Sequence, residues 1–275
     1  MGRGAPGEAS GEEALTARAR STKLSVMDPF KFTTIAHHDR VLLGPVSEPR
    51  VDELLAHVHV PSAPQPPRVL DIGCGKGEML LRAMERLNGS GVGVDPNPSF
   101  IAAARARAHR RVPQGSLTLL QSPLEKAALP PGQFTLLICT GACHAFGDYV
   151  TALRESQRYV LPNGWAIFGQ SYWKQTPEPE YLAVFGGSED EMSSLEETKQ
   201  HAKDAAWNIV ATSESSPEDW DDYELAYSGA MTRWLQSRPN DDDVLAFRDR
   251  IEKWQDAYQR WGKHTMGFTL LLLRR

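Results

Sequence analysis

The chain is poor in cysteine, in long apolar runs and in clustered positive charge, and each shortage excludes something. Three cysteines occur in 275 residues, Cys74, Cys139 and Cys143, with no C-x-x-C pair among them. That usage fits a reduced, cytoplasmic protein. The longest apolar run, Thr269–Leu273, is far too short to span a bilayer, so no membrane partner is expected. No apolar segment of the secretory-signal kind occurs in the first twenty-five residues. The formal net charge is −5 and no basic run stands out, which argues against a nucleic-acid partner. The histidines and acids lack metal-ligand spacing, so no metal site is expected. The chain is nevertheless long enough for one large α/β domain with an elaboration.

The organising stretch runs from Arg68 to Asp95. Val69, Leu70 and Ile72 form a short apolar strand that ends in Gly73, Gly75 and Gly77. A helical pattern follows at Met79, Leu80, Ala83, Met84 and Leu87, then a second strand, Val92–Val94, ending in Asp95. Strand, glycine turn, helix, strand and acid make the first half of a nucleotide-binding βαβ unit. Glycines let backbone lie against a ligand, and the helix opening after Gly77 offers free N–H groups and a positive dipole end. Asp95 is placed to accept both hydroxyls of a ribose.

The glycines read G-x-G-x-G with Asp71 just ahead, not the G-x-G-x-x-G of a dinucleotide fingerprint. This pattern resembles the first motif of class I S-adenosylmethionine-dependent methyltransferases. The resemblance implies S-adenosyl-L-methionine as cofactor, with its methionine part along residues 71–77 and its ribose on Asp95. Cofactor contacts are then expected from Asp71, Gly73, Cys74, Gly75, Gly77, Asp95, Pro96, Ser122, Leu124 and Thr140. It also implies an α/β fold with a seven-stranded Rossmann-like sheet, the last strand antiparallel to its neighbours. Small-molecule methyltransferases look similar in the stretches Thr34–His38, Gly141–Gly147 and Tyr172–Trp173. That subgroup has Glu-Pro where this chain has Gln170-Ser171, so one carboxylate is missing from the pocket edge.

Further strands are expected at Ser116–Leu120, Phe134–Cys139, Trp165–Gln170, Asn208–Thr212 and Phe268–Leu273. Residues 1–25 read as a disordered tail able to order over a bound ligand, and 26–67 as an N-terminal helical lid and linker. Residues 68–212 form the core and 264–275 its final strand. Between the last two strands, residues 213–263 insert a helical cap. There Trp220, Tyr223, Tyr227, Met231 and Trp234, then Phe247, Ile251, Trp254, Tyr258 and Trp261, recur at three- and four-residue steps.

A stripe of this kind serves as core packing or as the flat wall of a pocket. With His38, Tyr172, Trp173, Trp220 and Tyr258 as substrate-binding candidates, the cap suits a small aromatic or heteroaromatic acceptor. An indole or amine of secondary metabolism is preferred, methylated at N or C, with a phenol methylated at O as the alternative. His144, on the loop after the fourth strand, is the candidate base, ahead of His264 and Tyr258. A nicotinamide-dependent oxidoreductase is opposed by the glycine spacing and by the lack of a Tyr-x-x-x-Lys pair. A non-catalytic scaffold is opposed by the intact Asp71, glycines and Asp95. The oligomeric state is left open between monomer and homodimer.

Overall fold

The computed structural model describes residues 28–60 and 65–275. The expected tail over 1–25 and residues 61–64 of the linker lie outside the described residues. Seven strands form one sheet: β1 (Arg68–Ile72), β2 (Ser90–Asp95), β3 (Leu117–Gln121), β4 (Phe134–Thr140), β5 (Val160–Trp173), β6 (Asn208–Glu214) and β7 (Met266–Arg274). Their order is β3-β2-β1-β4-β5-β7-β6, with β7 antiparallel to both neighbours. This is the seven-stranded sheet, with its last strand antiparallel, that the family resemblance implied.

Strand residues decide the layering. Leu136 and Ile138 of β4 pack into one apolar cluster, while Leu137 and Cys139 pack into the other, as the period of two requires of a strand covered on both faces. Met266–Leu273 of β7 is buried throughout, which explains its nearly unbroken apolar sequence. β6, at the edge, alternates exposed and half-buried positions. Ile72 pairs with Val94 of β2 and with Cys139 of β4, so the carboxyl ends of these strands are level. Their loops therefore share one edge of the sheet.

β5 extends three residues beyond the expected Gln170, because antiparallel pairing with β7 continues to Trp173 opposite Met266. Among the described residues the α-helices of six residues or more, in chain order, are α1 (Lys31–Ala36), α2 (Glu48–Ala56), α3 (Glu78–Leu87), α4 (Pro98–Ala108), α5 (Tyr149–Ser156), α6 (Pro179–Phe185), α7 (Leu195–Asp204), α8 (Pro217–Ser237) and α9 (Val244–Ala257). α8 and α9 are the cap, inserted between β6 and β7. Ser216 and Asp219 form a reciprocal capping box at the start of α8, with Pro217 at the first helical position. Met231 and Leu235 of α8, Val244, Phe247 and Ile251 of α9, and Phe32 and Ala36 of α1 bury one another in a separate apolar cluster. Among the described residues no helix is long and apolar enough to cross a membrane.

A polar tie holds the loop after α1 against the glycine turn. Lys76 Nζ donates to the carbonyls of His37 (2.7 Å), His38 (2.9 Å) and Arg40 (2.9 Å). Burial holds the Lys76 ammonium below its ordinary value, with the charge of Arg107 acting the same way. Arg40 in turn donates to the carbonyls of Leu42, Gly44 and Val46 and so folds the loop upon itself. Gly75 adopts φ +52°, a left-handed conformation that favours glycine, and a Cβ there would have to push aside Leu43 Cδ1.

Lys76→Met keeps the aliphatic stem and removes three charge-assisted bonds. It should cost about 1–3 kcal/mol of stability and speed amide exchange over residues 37–46 while leaving β1 and β4 protected. Unchanged exchange in that loop would show that something other than Lys76 holds it.

Candidate active site

The site grows from the level ends of β1, β2 and β4. Gly73 adopts φ +71°, and a Cβ there would lie 2.2 Å from that of Ala142, so the glycine turn and the loop after β4 touch backbone to side chain. Asp95 is buried. Its Oδ2 accepts the Gly75 N–H at 2.9 Å and its Oδ1 accepts the Asn97 N–H at 2.8 Å. Burial raises the Asp95 carboxyl above its ordinary value, opposed by those two hydrogen bonds and by nearby His144. Each oxygen keeps a second lone pair for a ligand hydroxyl. Asn97 caps α4 through the N–H groups of Ser99 and Phe100, and its Nδ2 donates to Thr34 Oγ1 at 2.9 Å.

A cavity of about 260 Å³ opens from this edge toward the cap. Asp71, Gly73, Cys74, Gly75 and Thr140, five of the cofactor candidates, line one end of it. Its other walls come from residues 41–46 of the lid loop, from Ser171 and Phe268 on the sheet, from Phe185 of α6, and from Trp220, Tyr223, Glu224 and Trp254 of the cap. Gly77 begins α3 in a left-handed conformation. Ser122 follows β3, its N–H donating to the Asp95 carbonyl, and Leu124 lies buried in the next turn. Pro96 is exposed beside them.

The substrate-binding candidates divide. Trp220 lines the cavity. Tyr258 stands behind it, stacked at 6.3 Å between ring centroids, with its hydroxyl donating to Asp221. Tyr172 is turned away, packed over Gly267 with its hydroxyl donating to Glu214. Trp173 is covered by Tyr181 and Phe185 of α6, a helix the sequence did not announce, and Phe185 takes the place in the wall.

His38 is on the surface beside Asp39. Its neighbour His37 is the buried one. The Thr33 carbonyl can only accept, so the proton sits on His37 Nδ1 (2.9 Å), and Nε2 accepts from the Tyr223 hydroxyl at 3.0 Å. Burial pushes His37 down to about 4, so this imidazole is neutral. His144 lies in the turn Cys143–Phe146 and is exposed, beside Asp95 and outside the cavity lining.

Two residues of this site, Lys76 and Glu224, carried no functional reading in the sequence, and a third, His37, was passed over for its neighbour His38. Lys76, inside the glycine turn, ties down the lid. His37 fixes Tyr223. Glu224 stands four residues after Trp220, on the apolar face of α8, where an acid is out of pattern. That misplaced charge was its available signal.

The comparisons agree with this geometry. Residues 70–168 match the methyltransferase domain family. The YjhP protein of Escherichia coli is 26% identical over 208 residues, covering 75% of this chain and 84% of YjhP. A Geobacter sulfurreducens methyltransferase solved with S-adenosyl-L-homocysteine superposes with a TM-score of 0.80 at 23% identity, over 89% of this chain and 98% of that one. The demethylmenaquinone methyltransferase of Thermus thermophilus is 32% identical over 100 residues, 36% of this chain and 44% of the relative. Over residues 70–168 the chain matches a methyltransferase domain, and its fold is that of an S-adenosylmethionine-dependent methyltransferase.

S-adenosyl-L-homocysteine is bound in the Geobacter sulfurreducens structure, and the residues present in this chain fit such a ligand. The buried hydroxyl of Thr140 is unpartnered in a residue lining the cavity, the backbone of the glycine turn lines the same cavity, and Asp95 has lone pairs to spare.

Asp71 adds a charge constraint. Burial, then repulsion from Asp95, pushes its carboxyl up to about 8, so the folded chain keeps it protonated at neutral pH. The folded chain therefore holds a proton that the unfolded chain releases above about pH 4, and the associated stability is lost as pH rises toward 8. His37 acts oppositely, but only between about 4 and 6.5. Glu224, pushed up to about 7 by burial, acts in the same sense as Asp71. The melting temperature should thus fall from about pH 6.5 to 8, and Asp71→Asn should flatten most of that slope. An unchanged slope in the variant would mean that Asp71 is ionised throughout.

Proposed function

We propose that this methyltransferase transfers the cofactor's methyl group to a small aromatic or heteroaromatic acceptor, at nitrogen or carbon, inside the cavity beneath the cap. One observation carries the reading. A single cavity joins the cofactor end, at Gly73, Gly75 and Thr140, to a wall of indole and phenol rings, Trp220, Tyr223 and Trp254.

S-adenosylmethionine supplies a methyl group already activated on a positively charged sulfur. What is left for the chain is to bind, to align and to keep water out. Asp95 takes the ribose hydroxyls. The amides of the glycine turn and the start of α3 face the methionine part. Residues 41–46, held by Lys76 and Arg40, close one side, and the cap closes the other. Trp220, backed by Tyr258, and Trp254 hold a planar ring by its faces.

Calorimetric titration with S-adenosylmethionine and S-adenosylhomocysteine should give binding of both. Asp95→Ala should weaken it by about a hundredfold, the worth of two hydrogen bonds to a charged group. Incubation with indoles, aromatic amines and phenols should then release S-adenosylhomocysteine with an indole or amine. No cofactor binding would overturn the reading, and transfer confined to phenol oxygens would replace the nitrogen or carbon acceptor with O-methylation.

A further inference from the structure

Two glutamates line the cavity, and their surroundings are opposite. Glu78, 2% exposed, receives Arg82 Nε at 2.7 Å, Arg111 Nη1 at 2.7 Å, and Arg107. Its charge is compensated several times over. Glu224 of α8 is 5% exposed and accepts one side-chain hydrogen bond, from Trp254 Nε1 to Oε2 at 2.8 Å. Its Oε1 is buried without a partner. Around it stand the hydroxyls of Tyr181, Tyr223, Tyr227 and Tyr258, all sensitive to its charge.

The cations near those tyrosines are committed elsewhere. Arg40 donates to lid carbonyls, and Arg250 lies over the Phe32 ring at 3.9 Å. Among the described residues no cation pairs with Glu224. A second polar atom of the cap, Trp220 Nε1, is likewise buried and unpartnered in a residue lining the same cavity. Buried polar atoms are satisfied in folded proteins almost without exception, so orphaned polar groups meeting at one cavity mark the place of a polar ligand.

We propose that Glu224 is the group that recognises the acceptor, and that the acceptor is an amine whose N–H donates to Glu224 Oε1. This rests on the methyl-transfer reading above and names its substrate class. An ammonium answers both the charge and the lone pair of a buried carboxylate, whereas a phenol or alcohol answers only the lone pair. The faces of Trp220, Tyr223 and Trp254 favour a cation as well. Association should tighten as pH rises through 7, because Glu224 becomes ionised there while an alkyl amine stays protonated.

Matched probes test this: tryptamine against its alcohol tryptophol, and benzylamine against benzyl alcohol. Each is titrated calorimetrically into the full chain with saturating S-adenosylhomocysteine. The amine of each pair should bind about tenfold or more tightly than its alcohol, with the preference growing between about pH 6 and 8. Glu224→Gln, which keeps an oxygen for Trp254 Nε1, should abolish the preference and leave S-adenosylhomocysteine affinity unchanged.

Equal affinity within both pairs, a preference that survives Glu224→Gln, or failure of both amines to bind would overturn the proposal. So would a loss of S-adenosylhomocysteine affinity in the variant, since Glu224 would then serve the cofactor. The pH series on the native chain stands even if the variant does not fold. Binding of S-adenosylhomocysteine without an amine preference removes this inference alone. Absence of that binding brings down the methyl-transfer reading with it.

Discussion

The two hydrogen bonds accepted by the Asp95 carboxylate are what the site is built upon. One fixes the Gly75 amide, and with it the neighbouring Lys76, whose ammonium gathers the carbonyls of residues 37, 38 and 40. The other fixes Asn97, whose side chain reaches Thr34. Both routes end on the lid, so the acid at the tip of β2 positions the segment that walls the cavity forty to sixty residues earlier in the chain. The coupling is short and polar. A ligand that engages the free lone pairs of Asp95 would act on the same group from which both routes start.

The cavity's acids show how environment assigns different roles to one functional group. Glu78 sits among Arg82, Arg107 and Arg111 and braces α3 against α4. Asp71 has no such cations, faces Asp95, and is held neutral at physiological pH. Glu224 lies between them in character, buried beside an indole N–H and tyrosine hydroxyls, with an ionisation that a bound cation can shift. Composition alone would rank the three alike. Their desolvation and their partners separate them.

What the sequence disclosed and what it hid follow from the range of the physics involved. The βαβ unit was legible because each of its parts is local: an apolar run, glycines at alternate positions, a helical period, an acid. The cap was legible because aromatic residues at three- and four-residue steps fix a helix face. That stripe then serves two purposes at once. Trp220, Tyr223 and Trp254 face the cavity, while Met231, Phe247 and Ile251 bury against α1, and periodicity cannot say where along a helix the change occurs. Tyr172 and Trp173 were misplaced because the strand's alternation gives the face of a side chain and not what covers it; α6 covers Trp173. Between His37 and His38 the choice turned on one residue of helix phase. The lysine tie was hidden because carbonyl acceptors carry no sequence mark.

Electrostatics also gives the cap its reason. A sulfonium and an ammonium brought about 6 Å apart at an effective dielectric near 20 repel by roughly 3 kcal/mol, enough to expel a cationic acceptor from a site that offered only aromatic walls. A carboxylate on the acceptor's far side offsets that repulsion without touching the methyl group, and it does so only in a cavity dry enough for the charge to be felt. Glu224, on the apolar face of a helix that the common sheet does not need, sits on such a wall. The aromatic residues around it keep water out and leave its second oxygen unsatisfied. The insertion between β6 and β7 is therefore also what places an acid in the same cavity as the glycine turn.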